Sequence, residues 1–154
     1  MKSNISRALG FLLLLAISGA ATSASENDAT KQDLKQFEGT WQIVSLEING
    51  NKAAAEDVKK IVIVNEPDGV MAIEVDGKIV ERGLLKIYPT QKPKTVDLTA
   101  TEGDSKGKTM LGIYEFDGDT RKVCYGEPGK ERPTDFSTAE GSGRYLVLLK
   151  RVKK

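Results

Sequence analysis

Phe37-Glu38-Gly39-Thr40-Trp41 is the stretch that decides the fold, because it opens the first of eight segments with the composition of β-strands. β-Branched and aromatic residues are enriched in these segments, and Asp-Gly occurs at three of the connections between them. Asp-Gly is typical of tight antiparallel hairpins, since Gly accepts a positive φ without strain. Strands are predicted over 40–48, 61–65, 70–75, 78–88, 95–101, 108–116, 120–125 and 145–152.

Eight strands joined mostly by hairpins predict antiparallel pairing between neighbours, and closing such a sheet into a barrel removes its exposed edges. The interior of an eight-stranded barrel is just wide enough for side chains or one small ligand. Gly83 is expected to form a bulge inside its strand. Residues 53–60 are the one internal segment with helical composition. The predicted fold is all-β, an antiparallel up-and-down barrel with one or two short helices.

The first 24 residues have the composition of an export signal. Lys2 and Arg7 supply a positive region, residues 9–17 an apolar run, and residues 22–24 a small-residue cleavage site. Cleavage is expected after Ala24, with Ala20 as the alternative. Because the apolar run is too short to span a bilayer comfortably, no membrane span is expected. We therefore predict a secreted or periplasmic protein.

The rest of the chain divides into a short leader and one domain. Residues 25–30 are small and polar, and 31–37 could form one or two helical turns, so 25–36 is predicted to be a flexible lead-in. Residues 37–154 form the barrel domain, which is expected to be a monomer. Cys124 is the only cysteine, so an internal disulfide is impossible and packing alone must stabilise the domain.

Composition excludes several functions. Removing Lys2 and Arg7 with the signal leaves 21 basic and 22 acidic residues, a net charge of −1, whereas nucleic-acid binding usually demands a basic face. The chain has no histidine, which removes Ser-His-Asp triads and nearly all zinc sites. No grouping of carboxylates, Tyr or Lys indicates catalysis. We expect a non-enzymatic protein without cofactor, metal or nucleic-acid partner.

The connection from Gly126 to Arg144 is unusually long, and long ordered loops in compact domains are disproportionately functional. It could form a lid over the barrel, or a packed plug in which Phe136 closes one end. Just before it, Lys122 and Cys124 share a strand face, so reactivity of the thiol stays open.

Several separated motifs, in this order, resemble a small lipocalin-like domain that is abundant in planctomycete bacteria, usually secreted, and without an established activity. The motifs are Gly39-Thr40-Trp41-Gln42, Lys92-Pro93-Lys94-Thr95-Val96-Asp97-Leu98, Gly107-Lys108-Thr109, Gly112-Ile113-Tyr114, Cys124-Tyr125, Gly129-Lys130-Glu131-Arg132-Pro133 and Phe136-Ser137.

The resemblance implies a lipocalin-like barrel in which Trp41 of the Gly39-x-Trp41 motif packs against a basic residue of the last strand. Arg151 is the natural candidate, with Lys150 and Arg144 as alternatives, and the contact would be a structural cation–π interaction. The chain departs from true lipocalins in its short strands, its missing disulfide and its lack of a substantial C-terminal helix. Whether the interior is hollow therefore stays open.

Two functions follow as hypotheses. The first is an exported barrel that binds a small apolar or amphipathic molecule. The alternative is a protein-interaction module with a packed interior, which presents the 126–144 loop or an exposed sheet face to an envelope protein. Tyrosine hydroxyls could orient a ligand in the barrel, or the aromatic rings could simply fill it. The candidate ligand contacts are Trp41, Tyr114, Tyr125, Arg132 and Phe136.

Overall fold

The structure is a computed structural model that describes residues 19–153, with side chains from Ser23 onwards. Most of the predicted export signal therefore lies outside the described residues. The elements are α1 (Gly19–Phe37), β1 (Gly39–Ile48), β2 (Asn51–Lys52), α2 (Ala55–Val58), β3 (Ile61–Asn65), a 3₁₀ turn (Pro67–Gly69), β4 (Val70–Val75), β5 (Lys78–Tyr88), β6 (Lys94–Glu102), β7 (Thr109–Asp117), β8 (Thr120–Gly126) and β9 (Arg144–Arg151).

Strands β1 and β3 to β9 form a closed antiparallel barrel, and the two-residue β2 adds to β1 outside it. Each strand from β3 onwards pairs with the next, and β9 returns to pair with β1. The prediction of an eight-stranded up-and-down barrel is confirmed, and every predicted strand bound falls within one residue of the observed one. Turn chemistry and the two-residue period therefore determine this topology.

Gly83 does not form the bulge that was predicted inside its strand. The β5–β6 register shifts between Arg82 and Gly83 because Thr101 of β6 has no partner, so the extra residue lies on β6. The extra residue of β5 is Val80, where the strand faces β4. A Cβ atom on Gly83 would lie 2.6 Å from Cδ1 of Leu98. A larger residue would therefore require the Leu98 side chain to shift.

The barrel has two different ends, which we call the base and the rim. The base is the end where β1 begins and β9 ends, and the rim is the opposite end. Helix α1 lies against the base, where Phe37 belongs to the buried core and Leu34 packs against it. The helix therefore closes this end of the barrel.

The N-terminal segment is more helical than predicted. Residues 31–37 form the helical turns expected there, and residues 25–30, which were predicted as part of a flexible lead-in, also belong to α1. Its residues are mostly small or polar, so their intrinsic helix propensity is weak, but tertiary contacts at the C-terminal end of α1 stabilise the helix. In contrast, α2 is shorter than predicted and covers 55–58, with Val58 buried. Within residues 19–153, no helix combines the length and apolar character needed to cross a bilayer.

Candidate ligand-binding cavity

The interior of the barrel contains a cavity of about 220 Å³. Seventeen side chains line it, and thirteen of them are apolar. They come from β1, β3 to β9 and Phe37 of α1, because alternate residues of each strand point inward. The four polar members are Asn65, Arg121, Tyr125 and Tyr145. The barrel is therefore hollow, with an apolar wall and few polar groups.

The polar groups lie at opposite ends of the cavity. Asn65 ends β3 and Arg121 lies near the start of β8, so both are at the base. Tyr125 and Tyr145 are directly paired across β8 and β9 near the rim. A recess at the rim shares Leu98, Met110 and Tyr145 with the cavity. The cavity thus has a polar base, an apolar middle and a tyrosine pair toward the rim.

Gly39, Trp41 and Arg151 come together at the base. The Arg151 guanidinium lies 4.3 Å from the Trp41 ring centre. Its Nη1 donates to the Glu38 carbonyl and its Nη2 to the Gln36 carbonyl, each at 2.7 Å. Gly39 has φ +107°, and a Cβ there would lie 3.3 Å from Nη1 of Arg151. Arg151 therefore fastens the end of α1 to the barrel.

Trp41 is a structural residue and does not line the cavity. It is fully buried, and its Nε1 donates to the Phe37 carbonyl at 2.7 Å. Its ring lies 6.0 Å from that of Phe116, which in turn packs on Phe37. This cluster is the floor beneath the cavity.

Tyr114 also serves the helix and not the cavity. Its hydroxyl donates to Asp33 Oδ2 at 2.8 Å, and Lys94 Nζ donates to the same oxygen at 2.7 Å. Burial, followed by the hydrogen bond to Asp33, raises the pKa of Tyr114. Asp33 is only 5% exposed, so this carboxylate requires both donors. The three side chains tie α1 to β6 and β7.

Arg121 lines the cavity and was missed by the sequence analysis. Its side chain is 3% exposed, and Nη1 donates to Oδ1 of Asn65, itself 4% exposed, at 2.8 Å. The guanidinium lies 4.8 Å from the Phe37 ring centre and 4.5 Å from that of Trp41. The sequence signal that could have identified it is the two-residue period of β8, which places Arg121, Val123 and Tyr125 on the same, inward face of the strand.

Burial and the neighbouring Arg151 lower the pKa of Arg121 to about 9, although Tyr125 acts in the opposite direction. The side chain therefore stays protonated at neutral pH. Burial also raises the pKa of Tyr125 to about 12. Tyr125 is the one predicted ligand contact that lines the cavity, and it does so as a neutral phenol.

Arg132 and Phe136 lie outside the barrel, in the loop that connects β8 to β9. Arg132 Nη1 donates to the carbonyls of Val96 and Gly112 at 3.0 and 2.8 Å, and its Nη2 pairs with Asp97 at 2.7 Å. The loop is consequently pinned along the outer wall formed by β6, β7 and β8. The middle of the loop is therefore neither a lid nor a plug, whereas Pro128 near its start lines the recess at the rim.

Phe136 and Cys124 confirm the position of the loop on the outer wall. The Phe136 ring lies 5.0 Å from Nζ of Lys122, which points outward from β8. Cys124 is fully buried beneath the loop, with Sγ 4.0 Å from the Ser137 carbonyl. Burial raises the pKa of its thiol, which disfavours the reactive thiolate. Among the described residues, no three His, Cys, Asp or Glu side chains cluster as a metal site would require.

Comparison with protein-family models, with curated proteins and with solved structures finds no match to this chain. The lipocalin-like resemblance therefore stays a prediction, and the function must be argued from the cavity.

Proposed function

We propose that this chain is an exported, non-enzymatic barrel that binds a small amphipathic molecule in its central cavity. The observation that carries the proposal is the cavity itself, an apolar space inside a closed barrel. Protein interiors are normally packed to near crystal density, with few voids larger than a water molecule. A hollow of this size lowers stability, which is understandable if a ligand fills it.

The volume limits the size of the ligand. An apolar cavity of roughly 150 Å³ accommodates benzene, and sites for drug-sized molecules occupy about 300–1,000 Å³. The cavity of about 220 Å³ lies between these limits. It suits a molecule of about ten non-hydrogen atoms. Burying about 200 Å² of apolar ligand surface stabilises the complex by about 5 kcal/mol, before the entropic cost of association is subtracted from this binding free energy.

The two ends of the barrel define an orientation for the ligand. Helix α1 closes the base, so the rim is the end at which a ligand would enter. The apolar body would then lie among residues of the middle, such as Ile63, Leu85 and Val147. Export is a part of the proposal that the signal-like residues 1–24 support.

The test is a calorimetric titration of the protein with 1-octanol, a neutral probe of suitable length. Val147 lines the cavity, and Leu148 is its neighbour on the opposite face of β9. We expect Val147→Phe to weaken octanol binding at least tenfold, because the larger ring occupies the cavity. The matched control Leu148→Phe should bind like the unmodified protein. An equal loss in both variants would contradict a binding site in the barrel, and so would the absence of binding by both octanol and its anionic analogue octanoate.

An exposed sheet face supports protein interaction as the second candidate function. Ile79, Val80 and Leu84 of β5 are each about half exposed. The 126–144 loop is the weaker candidate surface, because Arg132 pins it to the barrel. The test is to purify the unmodified protein and the Val80→Glu variant from the native envelope and to compare the proteins that co-purify with each. A stoichiometric partner that the variant loses would support this function, and loss of no partner would count against it.

A further inference from the structure

The base of the cavity has an unbalanced charge. Five arginines lie in the described part of the chain, and four of them pair with carboxylates: Arg82, Arg132, Arg144 and Arg151. Arg121 is the most buried of the five, and no described carboxylate lies within ion-pair distance of it. Buried charges in proteins are normally paired, so this exception requires an explanation.

The aromatic neighbours compensate the charge only in part. A cation over an aromatic ring gains roughly 0.5–2 kcal/mol, and Arg121 has such contacts with Phe37 and Trp41. Removing an ion from water costs several kcal/mol even after relaxation of the protein. Arg151 contacts the same Trp41 ring, but Asp119 balances its charge. Arg121 is therefore the guanidinium at this site that lacks a carboxylate partner among the described residues.

The free polar atoms at the base are all donors. Nε of Arg121 and Nδ2 of Asn65 are buried and have no hydrogen-bond partner among the described residues. The Asn65 carbonyl oxygen accepts one hydrogen bond, from Arg121 Nη1. An ionised carboxylate is a pure acceptor with two oxygens, and it matches the planar guanidinium. A hydroxyl or amide ligand could accept from these donors, but it would bring no negative charge to balance the guanidinium.

We infer that the ligand of this cavity is an amphipathic carboxylate, whose anionic head binds Arg121 and Asn65 at the base while its apolar body extends toward the rim. This inference rests on the proposed function and names its ligand class. A neutral molecule of the same length would fill the same wall without balancing the charge. The predicted signature is thus selectivity for the anion at constant chain length.

The experiment compares octanoate with 1-octanol by titration calorimetry at neutral pH. We expect octanoate to bind about 10- to 100-fold more tightly, as a charge-assisted hydrogen bond to a buried partner allows. Arg121→Met should abolish this preference while octanol still binds. Lys122→Met, which removes a positive charge from the adjacent outward position, should leave it unchanged.

The outcomes separate the two proposals. If octanol and octanoate bind equally to the unmodified protein, the cavity is a binding site and the carboxylate inference is wrong. If neither ligand binds, the proposed function is wrong and the inference with it. If Lys122→Met removes the preference as fully as Arg121→Met, the selectivity comes from surface charge and the inference is again overturned.

A second measurement does not require that the Arg121 variant folds. The carbon-13 resonance of carboxyl-labelled octanoate, followed against pH in the complex, reports the pKa of the bound carboxyl group. A guanidinium partner favours the ionised form, so we expect this pKa to fall below its value in water. A raised pKa would place the carboxyl group in an apolar environment away from Arg121 and would overturn the inference.

Discussion

Removing Arg121 together with Asn65 should make the unliganded protein more stable. We consider the double variant Arg121→Met, Asn65→Leu, which replaces both buried polar partners with apolar side chains of similar size. The single change Arg121→Met would leave the Asn65 carbonyl oxygen without its donor, at a cost of about 1–3 kcal/mol. Replacing both partners avoids that cost and isolates the effect of the buried charge.

The magnitude follows from the environment of Arg121. Lowering its pKa from 12.5 to about 9 corresponds to about 5 kcal/mol of destabilisation of the charged form in the folded protein. The contacts with Phe37 and Trp41 each offset about 1 kcal/mol of this cost, and the hydrogen bond to Asn65 offsets about 2 kcal/mol. We expect the double variant to gain about 1–2 kcal/mol, a rise in Tm of about 3–8 °C.

The assay is urea denaturation at neutral pH of the unliganded protein, the double variant and Arg151→Met. Arg151→Met removes two short hydrogen bonds to carbonyls and one aromatic contact, so it should lose about 2–4 kcal/mol. The two arginines on one ring thus receive opposite predictions. If the free energy of unfolding of the double variant is lower by more than about 1 kcal/mol, Arg121 stabilises the unliganded barrel. The proposal that its charge is balanced only by a bound ligand would then be wrong.

Three further predictions concern the base and the cavity wall. Trp41→Ala should destabilise the barrel by about 3–5 kcal/mol, and an unchanged Tm would refute its place in the floor. Tyr114→Phe leaves Asp33 with one donor fewer, so hydrogen exchange should accelerate in α1 more than in β4; uniform acceleration would show that the bond does not hold the helix locally. Because the folded pKa of Tyr125 is about 12 and the unfolded one about 10, the free energy of unfolding should fall by up to about 3 kcal/mol as pH rises between them. Tyr125→Phe should flatten that decline, and an unchanged slope would contradict the role of Tyr125.

The strands were predictable because their signals are local. Asp-Gly turns and alternating apolar residues fix the pairing between neighbours. The bulges were not located in this way, because the extra residues are Val80 and Thr101 and not the predicted Gly83. The contact between Trp41 and Arg151 could be predicted only from the resemblance to lipocalin-like domains, since the two residues lie 110 positions apart and nothing between them indicates that they meet. Local periodicity cannot locate a partner at such a distance.

The cavity and its polar base were only partly predictable. Tyr125 was identified, but Trp41 and Tyr114 lie beside the cavity and Arg132 and Phe136 lie outside the barrel. A tyrosine or arginine in a strand pattern shows which face it occupies, but not whether its polar atom finds a partner. That depends on acceptors brought by other elements, as Asp33 is brought to Tyr114 by α1.

The same dependence on acceptors explains why two arginines on one tryptophan ring have different roles. Arg151 approaches Trp41 where α1 ends and offers the free carbonyls of Gln36 and Glu38, so its donors are satisfied within the protein. Arg121 approaches the same ring from the cavity, where the wall is apolar and only Asn65 can accept. A buried donor without an acceptor lowers stability unless something else supplies one. In a hollow barrel closed at its base, that supplier would have to enter through the cavity, and an anion is the molecule that would satisfy it.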